Sequence, residues 1–201
     1  MTDISQDIID GLNLALNEAI ILGVDFDERC RTFYVTFYPV AVQKDGTIPN
    51  DNRFLFAFRN VGRLASSLTL EPESKTIKFD ANELVDKMSE FKNESLYGWE
   101  FIDNSEELVF KQWKDNISFD KIIFEDYEQQ HTIDLFQEDQ YSKKTIDIRI
   151  WFDKIEIFDC ELKQFEIQTF IENGKRGWDK LYKDGWTTNE NDLKEKLILN
   201  D

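Results

Sequence analysis

The chain has 201 residues, and 41 Asp and Glu against 24 Lys and Arg give it a net charge of −17. Hydrophobic residues at 41% and aromatics at 14% are too abundant for a disordered chain, which combines high charge with few apolar groups. The same charge disfavours gripping nucleic acid through its phosphates, a task that needs a basic face.

The length suits a single α+β domain over 1–201, with a weak subdivision near 71–96 as the internal alternative. The opening residues, Met1 to Asp7, lack the positive stretch and apolar stretch of a secretory signal. The longest apolar run, Ala19 to Val24, falls far short of the roughly 20 residues that span a bilayer. Two cysteines, Cys30 and Cys160, build no disulfide framework and read as reduced, part-buried thiols. Together these features predict a cytoplasmic protein with no membrane contact.

Ile4, Ile8, Leu12 and Leu16 recur at helical spacing, and Ala19 to Phe26 then reads as a strand. Three β-type runs follow, over 31–42, 53–58 and 64–70, close enough in sequence to favour antiparallel pairing. The first is bulky on both faces, with Phe33, Val35 and Phe37 against Tyr34, Thr36 and Tyr38. Asp80 and Glu83 suit a capping box, and Leu84, Val85, Met88 and Phe91 predict an amphipathic helix over 81–92. Tyr97 to Ile102 and Glu107 to Trp113 read as short strands, the latter with a helical alternative.

The clearest alternation sets Ile146, Ile148, Ile150 and Phe152 against Asp147, Arg149 and Trp151. Ile155 and Ile157 continue it, so Asp153-Lys154 is expected to be a hairpin turn. Gln164 to Glu172 fits helix or strand. Asn173-Gly174 punctuates it, a short helix through Trp178, Leu181 and Tyr182 is expected to end at Asp184-Gly185, and Leu193, Leu197 and Ile198 suit a C-terminal helix. The whole predicts a largely antiparallel sheet, or sheets, with a few flanking helices.

No motif names a reaction. Asp153 with Glu161 and Lys163 echoes the acid…acid-x-Lys arrangement of metal-dependent nucleases, where two carboxylates hold Mg²⁺ and Lys positions water. Four acid-x-Lys matches occur, however, and composition alone produces about that many. Asp25 and Asp27 form a charged turn rather than a calcium loop. His131 is the only histidine, which leaves no multi-histidine zinc set, and a Gly-x-Ser-x-Gly elbow is absent. Arg53, Arg59 and Arg63 either converge on an anion or pair with the surrounding acids, and the excess of acids favours pairing. The Asn173 to Gly177 loop lacks the phosphate-cradling spacing. No cofactor or bound metal is implied.

The informative asymmetry is in charge. Between Glu100 and Asp139, twelve acids face only Lys111, Lys114 and Lys121, with Trp99, Trp113, Phe124, Tyr127 and Phe136 among them. An acidic surface studded with aromatics can steer and hold a basic protein partner. The expected role is a non-catalytic inhibitor, immunity-type protein or nucleic-acid mimic that masks such a partner. Its contact residues would be Glu106, Glu107, Asp126, Glu128 and Asp134, with Trp113 as anchor. The alternatives are a metal-dependent hydrolase using Asp153, Glu161 and Lys163, and a structural subunit of a larger assembly.

Overall fold

The computed structural model describes residues 4–71, 75–91, 96–102, 113, 115–124, 130–139 and 141–184. In chain order these form α1 (Gln6–Ala15), β1 (Ile20–Asp27), β2 (Thr32–Tyr38), β3 (Phe54–Arg59) and β4 (Arg63–Thr69). A 3-10 turn at Ala81–Glu83 leads into α2 (Leu84–Ser89), followed by β5 (Leu96–Phe101), β6 (Phe119–Ile122) and β7 (His131–Glu138). The remainder are β8 (Thr145–Phe152), β9 (Lys154–Phe158), β10 (Gln164–Phe165) and α3 (Ile167–Asp184). The fold is α+β. Its two antiparallel sheets have the orders β1-β2-β3-β9-β10 and β5-β7-β8-β4-β6.

Alternation explains the core. Phe33, Val35 and Phe37 of β2 stand opposite Phe58, Phe56 and Phe54 of β3, and all six are buried. From the second sheet, Ile133, Leu135, Ile146, Ile148, Ile150 and Phe152 enter the same apolar cluster. The Trp99 ring of β5 joins the layers, with centroids 5.8 Å from Phe37 and 6.1 Å from both Phe56 and Phe58. The first two are edge-on and the third is tilted, and such aromatic contacts add roughly 0.5–1.5 kcal/mol each beyond area burial. His131 belongs to this layer, buried between Phe101 and Phe152.

The expected hairpin at Asp153-Lys154 is not one. β8 pairs with β7 and β4, whereas β9 pairs with β3 and β10 in the other sheet. The run over 53–58 likewise does not pair with 64–70. Instead β3-β4 and β8-β9 form one long two-stranded ribbon that bends across both sheets. Arg59 faces Lys154 and Arg63 faces Trp151, so Asn60, Val61 and Gly62 oppose only Phe152 and Asp153. The extra residue is a bulge at the bend, with Asn60 at φ 56°. Backbone bonds from Asp153 N to Arg59 O (3.0 Å) and from Gly62 N to Trp151 O (3.0 Å) close it. The sequence sign was present: Phe152 and Ile155 both point inward although three apart, which needs a change of sheet.

The expected break at Asn173-Gly174 is also overturned, because α3 runs unbroken through Gly174 and Gly177. These glycines are points of approach. A Cβ at Gly174 would lie 2.5 Å from Ala15 Cβ of α1, and one at Gly177 would lie 2.5 Å from Val40 O. The segment that fitted both helix and strand holds both, β10 and then α3. The 81–92 helix is shorter than expected, and its Asp80–Glu83 capping box is formed. Cys30 and Cys160 are free and exposed rather than part-buried. They sit at opposite ends of β3, Cys30 near Arg59 and Cys160 near Arg53. Of the expected strand over Glu107 to Trp113 only Trp113 is described, and it is helical; the rest of that segment and the helix through Leu193 to Ile198 lie outside the described residues.

Candidate functional site

The face of the second sheet that points away from the core carries charge. On β8 it presents Asp147, Arg149 and Trp151, the partners of the inward isoleucines in the alternation. Arg149 lies opposite Asp134 on β7 and Ala65 on β4, and Asp134 in turn faces Glu100 on β5. Trp151 lies between Thr132 and Arg63, and Asp147 between Phe136 and Ser67.

Two bidentate pairs organise this face. Arg149 donates from Nε to Asp134 Oδ1 at 2.6 Å and from Nη2 to Oδ2 at 2.5 Å. Arg63 reaches Asp120 on β6 through Nε to Oδ1 at 2.8 Å and Nη2 to Oδ2 at 2.6 Å. The guanidinium groups alternate with indoles. Arg149 Cζ is 4.5 Å from the Trp113 ring and 5.9 Å from that of Trp151, and Arg63 Cζ is 4.7 Å from Trp151. Each desolvated contact of this kind contributes up to about 2 kcal/mol.

An outward sheet face is ordinarily wet, yet Arg149 and Trp151 are both 0% exposed. Burying a guanidinium is costly unless a carboxylate and further hydrogen bonds satisfy it. Asp134 supplies that carboxylate and Trp113 lies over the pair. Asp147 is a second, partly buried carboxylate two residues from Arg149, and no hydrogen bond holds its carboxylate among the described residues. Burial, and after it the negative charge of Asp134, raise its pKa from 3.8 to about 7, with Arg149 opposing both. Near neutral pH, Asp147 is therefore the proton-exchanging member of the cluster.

Two of the expected contact residues, Trp113 and Asp134, thus meet through Arg149, engaged within the protein. Glu106, Glu107, Asp126 and Glu128 lie outside the described residues. Asp147, Arg149 and Trp151 were absent from the expected site. Their signal was an Arg flanked by Asp and Trp along one strand face.

The other candidates separate. Arg53 pairs with Asp51 at 2.6 Å and Arg59 with Glu156 at 2.8 Å, so with Arg63 all three arginines take the internal alternative. Asp153 lies before β9, whereas Glu161 and Lys163, paired with each other, lie beyond its far end. Five strand residues span about 15 Å, so the three do not converge on one ion. Asp27 accepts from the backbone N–H groups of Arg29 (2.9 Å) and Cys30 (3.1 Å), which lowers its pKa and closes the charged turn. Among the described residues no group of three or more His, Cys, Asp or Glu is placed to hold a metal ion. Nor is any helix among them long and apolar enough to cross a membrane. No protein-family model, curated protein or solved structure matches the chain.

Proposed function

We propose that this chain is a non-catalytic interaction protein, an acidic inhibitor that masks a basic protein partner. One observation carries the reading. Five of the seven arginines, Arg53, Arg59, Arg63, Arg149 and Arg176, are committed to carboxylates of the same chain. With 41 acids against 24 Lys and Arg, even complete pairing leaves an excess of carboxylates, the source of the −17. Carboxylates of that kind stay in water and set the field that an approaching protein meets. The acids between Glu100 and Asp139 concentrate it, and Glu106, Glu107, Asp126 and Glu128 are the residues that would meet the partner.

The test is kinetic. A basic partner captured from the native cell is presented to wild-type protein and to a variant with Glu106, Glu107, Asp126 and Glu128 changed to Lys. The association rate should fall at least tenfold at low salt and lose most of its salt dependence. An unchanged rate in the variant rejects the reading.

A further inference from the structure

We propose that the outer face of the first sheet is a self-complementary docking surface, on which two copies of this chain pack face to face about a two-fold axis. The proposal is independent of the partner reading, since no residue assigned to the basic partner lies on this face.

The strand register builds the surface. β1, β2, β3 and β9 run side by side, and their inward residues fill the core. The alternate residues point the other way and line up in three rows across the strands. One row reads Asp27, Thr32, Arg59 and Lys154. The next reads Asp25, Tyr34, Ala57 and Glu156, and the third Gly23, Thr36, Leu55 and Phe158. Arg59 ties the first two rows together, donating to Thr32 Oγ1 at 3.2 Å, Tyr34 OH at 3.4 Å and Glu156 Oε2 at 2.8 Å. Tyr34, Thr36, Leu55 and Phe158 keep partial exposure, and Gly23 and Asp25 are exposed.

Two properties select a second copy as the occupant. The first is charge. The acids and cations of these rows all but cancel, on a chain whose net charge is −17. Two such bodies can meet on this face without pressing like charges together. The second property is the order of large and small side chains. A two-fold axis along the strands, between β2 and β3, sets β1 against β9 of the second copy and β2 against its β3, row upon row. Tyr34 then falls on Ala57, Leu55 on Thr36 and Phe158 on Gly23, a large side chain on a small one each time. Gly23 leaves an open recess, because a Cβ there would meet nothing within 4 Å. In the remaining row Asp27 falls on Lys154, its opposite in charge. Asp25 falls on Glu156, whose carboxylate is already held by Arg59 at 2.8 Å and Lys154 at 2.7 Å.

Sheets packed in this way cross at about 30°, an angle that the twist of each supplies. Four strands about 4.8 Å apart and three rows roughly 7 Å apart make a patch of about 400 Å² in plan, the size of a weak, reversible interface.

Sedimentation equilibrium of the full chain is the test, from about 5 µM to about 500 µM in about 0.3 M salt, where screening cuts the reach of the repulsion to roughly 6 Å. The wild type should pass from monomer to dimer over that range. Leu55→Glu places like charges near the axis, and Gly23→Leu fills the recess that Phe158 needs without changing any charge. Each should weaken dimerisation at least tenfold, with circular dichroism confirming that the variant folds. Ile122→Glu adds the same charge at an exposed position of β6 in the other sheet and should leave the dimer unchanged. A wild type that stays monomeric at every concentration overturns the proposal. So does a dimer that keeps its affinity in either folded variant of the face, or one that Ile122→Glu weakens as much as Leu55→Glu.

Discussion

Arg149, wholly buried on the outward face of its sheet, grips Asp134 with two hydrogen bonds while its guanidinium carbon lies 4.5 Å from the centre of the Trp113 ring. The two partners do different work. Asp134 cancels the charge and satisfies donors. Trp113 removes water and leaves the charge in place.

That division makes the pair asymmetric to mutation. Asp134→Ala leaves a buried guanidinium without its carboxylate and should cost about 3–5 kcal/mol, read from urea unfolding. Replacing both members, Asp134→Leu with Arg149→Met, removes charge and counter-charge together and should recover most of that loss. If Asp134→Ala costs less than about 1 kcal/mol, the bridge does not hold Arg149 as described.

Stability should fall as pH rises from about 4 to about 7. In that window the folded chain keeps the Asp147 proton and the unfolded chain has lost it, so the folded state binds more protons and each step up in pH favours unfolding. The total is at most about 4 kcal/mol, and it disappears in Asp147→Asn. Asp51 and Glu156 act with the opposite sign, their pKa values lowered by hydrogen bonds from Arg53 and from Lys154 respectively. What they contribute is present above the ordinary carboxylate range and is lost as pH falls through their depressed values. Thermal melting across pH 3–8 should therefore peak on the acid side of neutrality. A peak at or above pH 7 that Asp147→Asn leaves in place would show that Asp147 is not the dominant group.

Gly174 tests the helix crossing. In an exposed helix, Gly→Ala stabilises by about 1 kcal/mol. Here the new methyl would sit 2.5 Å from Ala15 Cβ and 2.8 Å from Ala15 Cα, so Gly174→Ala should instead destabilise by about 1–3 kcal/mol. Gly177→Ala meets Val40 O and should behave likewise. Gly23 has open space around its Cβ position, and Gly23→Ala serves as the tolerant control. A rise in melting temperature for Gly174→Ala would contradict the close approach of α1 and α3.

Much of the fold was legible from local pattern, because each strand repeats every two residues and each helix every three or four. Ile146 to Phe152, Phe54 to Phe58 and the Asp80–Glu83 cap were readable as separate elements on that ground alone. Composition likewise determined the net charge. Pairing was not legible in the same way. Whether β8 turns back on itself or crosses to the other sheet depends on one bulged residue at Asn60, nearly a hundred positions away. The value of Gly174 depends on Ala15. The cluster depends on four strands and Trp113, whose register alone sets Asp134 against Arg149 and leaves Asp147 beside them. Charge and periodicity are properties of neighbours along the chain, while burial, the cause of the Asp147 shift, is a property of neighbours in space.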